Sequence, residues 1–112
     1  MEIVDVKDFF ERVADDRELL MELLEDFVGD YSKNRELLDK AIENKEFDQI
    51  KNIAHRMKGA TGNISVKPMH ACFKVMEEMA LNKEIDRIKD LAVDLNNHFS
   101  ELQTYISELK QK

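Results

Sequence analysis

Apolar residues recur along most of this chain at three- and four-residue steps, the period that gathers them on one face of an α-helix. A few short polar stretches interrupt the pattern and divide it into helices. "VDVKDFFERVADD" reads as a short opening helix, with Asp5 as a cap and Val6, Phe9, Phe10 and Val13 on one side. Asp15 or Asp16 starts a second, longer helix in which Leu20, Leu23, Leu24, Phe27, Tyr31, Leu38, Ala41 and Ile42 share a face. Gly29 falls inside that run, where it can bend the helix without ending it. A turn at Asn44 and Lys45 leads to a third helix from Phe47, with Ile50, Ile53, Ala54 and Met57 inward, and "GNISVKP" closes it.

Ser65 then caps a fourth helix whose first turn tolerates Pro68. Its stripe is Met69, Cys72, Phe73, Met76, Met79 and Ala80. "LNKE" turns the chain into the last helix, where Ile85, Ile88, Ala92, Leu95, Phe99, Leu102, Ile106 and Leu109 give the seam of coiled-coil-like packing. Four amphipathic helices with short connections predict an all-α, antiparallel up-down-up-down four-helix bundle, with the short additional N-terminal helix covering one end.

Composition fits that reading. The 112 residues make one domain, 1–112, and three glycines and one proline favour helices over a turn-rich β architecture. A net charge of −7 opposes nonspecific attachment to nucleic acid or anionic lipid. No apolar run suffices for a signal peptide or membrane insertion, so the expectation is a soluble cytoplasmic domain. It is expected to be a monomer, because the apolar seams are needed internally. The single cysteine, Cys72, shares its stripe with Met69, Phe73 and Met76 and reads as a buried thiol.

The third helix carries the candidate chemistry. Its apolar residues cluster on one side, and His55 projects about 150° from their mean direction, so the imidazole faces water. Gly59 and Gly62 follow on the histidine's own side. A glycine within a helix costs about 1 kcal/mol relative to alanine, and an outward position offers no packing in return. Gly62 either ends the helix or keeps that surface bare; Gly59 comes too early for a terminus.

Charge adds a second clue. From Gln49 through Met76 there is no acidic residue, while Lys51, Arg56, Lys58, Lys67 and Lys74 are positive. Lys51 and Lys58 stand four before and three after His55, spacings that bring helical side chains together, and with Arg56 they offer anion support. A solvent-facing imidazole with one free nitrogen is a nucleophile whose phosphorylation gives a labile nitrogen–phosphorus bond. Nearby cations stabilise the phosphoryl charge, and glycines leave clearance for a bulky partner. Asn52 and Gly62, on the same face, are candidate partner contacts.

"AHRMKGATGNISV" closely resembles the signature of the histidine-phosphotransfer (HPt) domain family, an alanine–histidine pair followed by lysine–glycine, here Ala54, His55, Lys58 and Gly59. "ELLMELLEDF", "FDQIKNIAH" and "ACFKVMEEMA" extend the resemblance over essentially the whole chain. The resemblance implies a phosphorelay intermediate: the histidine accepts a phosphoryl group from an aspartate on one response-regulator receiver domain and donates it to another. A variant within the family receives it directly from a kinase's ATP-binding domain, so a sensor histidine kinase is also an implied partner. It implies a phosphocarrier with no kinase or ATP-binding activity and no cofactor, any magnesium belonging to the receiver or kinase. It also implies a ring-orienting carboxamide or carboxylate on the next helix, at the position of Glu77. Many members carry glycine where this chain has Ser65, which implies a changed turn.

The competing reading is a non-catalytic helical interaction or oligomerisation module, which accounts for the apolar seams but not for the acid-free island or Gly59. Di-metal bundle sites use Glu-x-x-His pairs, which do not occur here; His70 and His98 read as surface residues and no metal site is expected. The six methionines read as gap-fillers of the core.

Overall fold

The computed structural model describes residues 3–13 and 16–111, with the side chains of residues 10–13 left aside. The inward side chains expected at Phe10 and Val13, and the alternative cap Asp15, therefore lie outside the described residues. Within them the chain forms α1 (Val6–Val13), α2 (Arg17–Glu43), α3 (Phe47–Asn63), α4 (Lys67–Leu81) and α5 (Ile85–Lys110). α2 packs on α3, α3 on α4, α4 on α5, and α5 back on α2, the closed ring of an up-down bundle. At 1.5 Å per residue the 27-residue α2 spans about 40 Å. That matches the 42 Å long axis of the molecule.

α3 and α4 are shorter, 17 and 15 residues, so their hairpin leaves the far ends of α2 and α5 without neighbours on that side. The N-terminal segment fills this gap. Val4 and Phe9 are fully buried, and the Asp5 main-chain N–H donates to the Ser65 carbonyl at 2.8 Å. Asp5 caps α1 as expected, accepting from Asp8 N–H at 3.0 Å. Asp16, whose carboxylate accepts from Leu19 N–H at 3.0 Å, caps α2. Gly29 lies inside α2, which continues through it.

The three tight connections share one geometry. In each, a residue with left-handed backbone follows the helix end: Lys45 at φ 54°, Ser65 at φ 57° and Lys83 at φ 55°. Paired bonds close each turn, Glu46 N to Ala41 O with Lys45 N to Ile42 O, Val66 N to Thr61 O with Ser65 N to Gly62 O, and Glu84 N to Met79 O with Lys83 N to Ala80 O. These are Schellman turns made without glycine. The tripeptide Asn-Lys-Glu recurs at 44–46 and 82–84 in the same conformation.

Ser65 is therefore not the cap of α4. Val66 occupies that place and makes no side-chain cap bond, while the Ser65 hydroxyl donates to the Asp8 carboxylate and ties α1 to the α3–α4 turn. Its left-handed backbone explains why glycine suits this position: glycine adopts that conformation without steric cost. The serine keeps the conformation and adds a tether.

Most of the expected stripes are buried, among them Leu20, Leu24, Ile50, Met57, Met69, Phe73, Met76, Ile88, Leu95 and Leu102. Leu23, Phe47, Met79, Ile85, Phe99 and Leu109 are only partly so. Burial pushes the Cys72 thiol above its ordinary value, with the nearby Asp94 adding to the rise, consistent with a thiol that packs. Among the described residues no helix is long and apolar enough to cross a membrane.

Candidate functional site

α3 and α4 form the most extensive helix pair, and the candidate site lies along their shared edge. Ile50, Ile53, Ala54 and Met57 turn inward, which points His55 outward with 71% of its side chain exposed. Its Nδ1 lies 3.2 Å and 3.1 Å from the two carboxylate oxygens of Glu77 on α4. The Lys58 ammonium, one turn beyond His55, lies 3.1 Å from the same carboxylate. Glu77 is thus shared by an imidazole and a cation.

That environment sets its charge. Burial alone would raise the Glu77 pKa, but hydrogen bonds from Lys58 and then His55, with their charges, outweigh it and hold the carboxyl below its ordinary value. An ionised carboxylate only accepts hydrogen bonds, so the proton of a neutral His55 resides on Nδ1. The Nε2 lone pair is then available on the exposed ring. A nucleophile at Nε2, with an anion balancing the ring at Nδ1, can attack an electrophile from solvent.

Of the other expected site residues, Gly59 is exposed, and beyond its own stretch of helix backbone nothing lies within 4 Å of where a Cβ would stand. Asn52 is exposed and Lys51 half-buried, three and four residues before His55 on α3. Arg56, expected to support the anion, is exposed and also reaches α2. Its Nη2 donates to Asn34 Oδ1 at 2.7 Å, and Asn34 in turn donates to the main-chain carbonyl of Asp30 at 2.9 Å. Helix periodicity explains this: the residue after His55 is turned about 100° round α3, toward α2.

Gly62 is not a bare surface facing outward. The His70 ring lies against it, and a Cβ there would stand 3.3 Å from two ring atoms. His70 is no incidental surface residue either, since its Nδ1 lies 2.8 Å from the Lys58 carbonyl oxygen. His98 is also half-buried, with its Nδ1 unbonded and 4.0 Å from Glu101. No cluster of three His, Cys, Asp or Glu side chains able to hold a metal occurs among the described residues.

Sequence reasoning missed the roles of Asn34 and His70. A signal existed for each: Asn34 falls at the three- and four-residue steps of the α2 stripe between Tyr31 and Leu38, and Gly62 left room beside α3 for a ring.

Comparison with protein families finds that the Hpt domain model matches residues 22–112, from early α2 through α5. No match is found among curated proteins or among solved structures.

Proposed function

The chain belongs to the Hpt domain family, and from that membership we propose that it is a phosphorelay carrier in which His55 takes a phosphoryl group from a receiver-domain aspartate and passes it to another receiver. The observation that carries this reading is the exposed His55 ring with its Nδ1 held by an ionised Glu77.

In the forward step the Nε2 lone pair attacks phosphorus. The nitrogen–phosphorus bond forms as the bond from phosphorus to the aspartyl oxygen breaks, and the aspartate leaves as a carboxylate with the electron pair. The ring, phosphorylated at Nε2 and still protonated at Nδ1, becomes cationic, and Glu77 stabilises that charge as it develops. The reverse attack, by the carboxylate of a second receiver, expels the imidazole and restores the neutral ring. No general base is required, because Nε2 carries no proton to remove.

Gly59 supplies clearance for the receiver's active centre, and Lys58 and Lys51 supply positive charge beside the incoming phosphate. The chain supplies no nucleotide chemistry in this scheme; the phosphoryl group arrives already activated, and any magnesium is the partner's. The relay partners place the reaction in the cytoplasm.

Incubation with a phosphorylated receiver tests the reading. A base-stable, acid-labile phosphoramidate should form on the wild-type chain and be absent from His55→Gln. Undiminished phosphotransfer by His55→Gln would eliminate the assignment. Profiling against a panel of receivers identifies donor and acceptor.

A further inference from the structure

His70 lies in the first turns of α4, half-buried, and reaches across to α3 rather than outward. Its Nδ1 stands 2.8 Å from the carbonyl oxygen of Lys58. A carbonyl only accepts, so this nitrogen carries a proton and donates it. The ring rests in the space that Gly62 leaves open. Thr61 Oγ1 lies 3.5 Å from the same nitrogen and donates to the carbonyls of Met57 and Lys58 at 2.8 Å and 3.1 Å.

Lys58 is therefore held by α4 at both ends. His70 bonds its main chain and Glu77 bonds its ammonium. His70 and Glu77 are seven residues apart on α4, two turns along one face, while His55 and Lys58 are three apart on α3. Four side chains thus tie two antiparallel helices along one edge.

Part of the apolar filling of this helix pair tolerates small axial shifts. Met57 on α3 and Met69 and Met76 on α4 are fully buried, and methionine adapts its three rotatable bonds to small displacements. A directional hydrogen bond is less tolerant, since it weakens steeply as its geometry departs from linear. A displacement of α4 of about 1 Å along α3 would lengthen and tilt the bond between Glu77 and Nδ1, weakening its hold on the ring.

We propose that His70 is a positioning residue for the phosphotransfer site: by donating Nδ1–H to the Lys58 carbonyl it sets α4 against α3 so that Glu77 meets His55. This rests on the phosphocarrier reading for its consequence, but its geometric content stands apart from it. His70 touches no transferred atom and acts through Lys58 and Glu77.

The test compares full-length wild type, His70→Leu and His70→Asn. Leucine removes the donor. Asparagine carries an amide nitrogen one bond from Cγ, as Nδ1 is in histidine, and retains it. Two quantities are read: the tautomer of His55, from two-dimensional proton–nitrogen spectra of the unphosphorylated ring, and the rate of transfer from a phosphorylated receiver.

The expected result is a single Nδ1–H tautomer of His55 in wild type and in His70→Asn, and a mixture in His70→Leu. Transfer should slow about fivefold in the leucine variant and stay within about twofold of wild type in the asparagine variant. Should the leucine variant not fold, His70→Asp, which presents acceptors where the donor stood, replaces it with the same expectations. A wild-type tautomer and rate in the donor-less variant would overturn the proposal, as would equal losses in the donor-less and asparagine variants. Wild type that accepts no phosphoryl group from any receiver defeats the phosphocarrier reading instead, and the tautomer spectra still decide the role of His70.

Discussion

The carboxylate of Glu77 bridges Nδ1 of His55, at 3.1 Å and 3.2 Å, and the ammonium of Lys58, at 3.1 Å. The nucleophilic edge of the imidazole is thereby chosen from the opposite edge. Replacing Glu77 with alanine frees the ring and removes the anion that balances it during transfer. A charge-assisted hydrogen bond is worth about 1.5–3 kcal/mol, so Glu77→Ala should slow phosphotransfer roughly tenfold to hundredfold. Glu77→Gln keeps an accepting oxygen without the charge and should fall between the two. Rapid-quench measurement with a phosphorylated receiver checks the order; equal rates for all three proteins would show that Glu77 does not orient the ring.

That bridge also marks how far the sequence could be read. The outward direction of His55 followed from Ile50, Ile53, Ala54 and Met57, because helical period alone converts an apolar stripe into an angle. Glu77 followed only from the family resemblance: which α4 side chain meets His55 depends on the register of two helices, and periodicity within one helix carries no such information. Arg56 shows the same limit, since its bond to Asn34 depends on how α2 packs on α3. Ser65, Lys45 and Lys83 escaped for another reason. Left-handed turn residues are usually glycine or asparagine, and these three adopt the conformation because their main-chain bonds to the preceding helix compensate for it.

Ser65 lets two opposed terms be separated. Its left-handed backbone costs about 1 kcal/mol relative to glycine, while its hydroxyl bond to the Asp8 carboxylate is worth more than an ordinary neutral hydrogen bond. Ser65→Ala retains the strain and loses the bond, and should be destabilised by about 2 kcal/mol. Ser65→Gly loses the bond but relieves the strain, and should be about 1 kcal/mol more stable than the alanine variant. Urea denaturation of both decides. An alanine variant as stable as the glycine variant would mean that the left-handed turn imposes no cost.

Asn34 is 7% exposed on an otherwise apolar stripe, and its bonds to Arg56 and Asp30 satisfy its amide. The pair joins α2 to the residue next to His55, so its energy bears on how firmly that part of α3 is held. A double-mutant cycle of Asn34→Ala and Arg56→Ala should give a coupling of about 1 kcal/mol in thermal or chemical unfolding. Additive losses would show that the two side chains are neighbours without energetic consequence.

The lowered pKa of Glu77 has a consequence for stability against acid. The folded-state value lies below the ordinary 4.5 of the unfolded chain, so the ionised carboxylate contributes stability that is complete above 4.5 and is lost as the pH falls through the folded value. Wild type should exceed Glu77→Gln in stability above that pH, and the difference should shrink below it. Denaturation across the acid range measures the difference. A gap between the two proteins that does not change with pH would show that the carboxyl titrates alike in both states.

Gly59 sets stability against transfer. Beyond its own stretch of helix backbone nothing lies within 4 Å of a Cβ built there, and the backbone is ordinary right-handed helix, so nothing inside the protein requires glycine. Gly59→Ala should therefore stabilise the fold by about 0.5–1 kcal/mol, the cost of glycine inside a helix. Leucine has nearly the helix propensity of alanine, so Gly59→Leu should share most of that gain, but its side chain would stand on the surface one turn from His55, where a receiver must approach. Transfer should fall more than about tenfold in the leucine variant while its melting temperature rises, because a displacement of the docked partner by even about 1 Å costs reaction geometry heavily. A leucine variant that is both more stable and undiminished in transfer would remove clearance at Gly59 from the account, and would move the receiver's approach to another side of the imidazole.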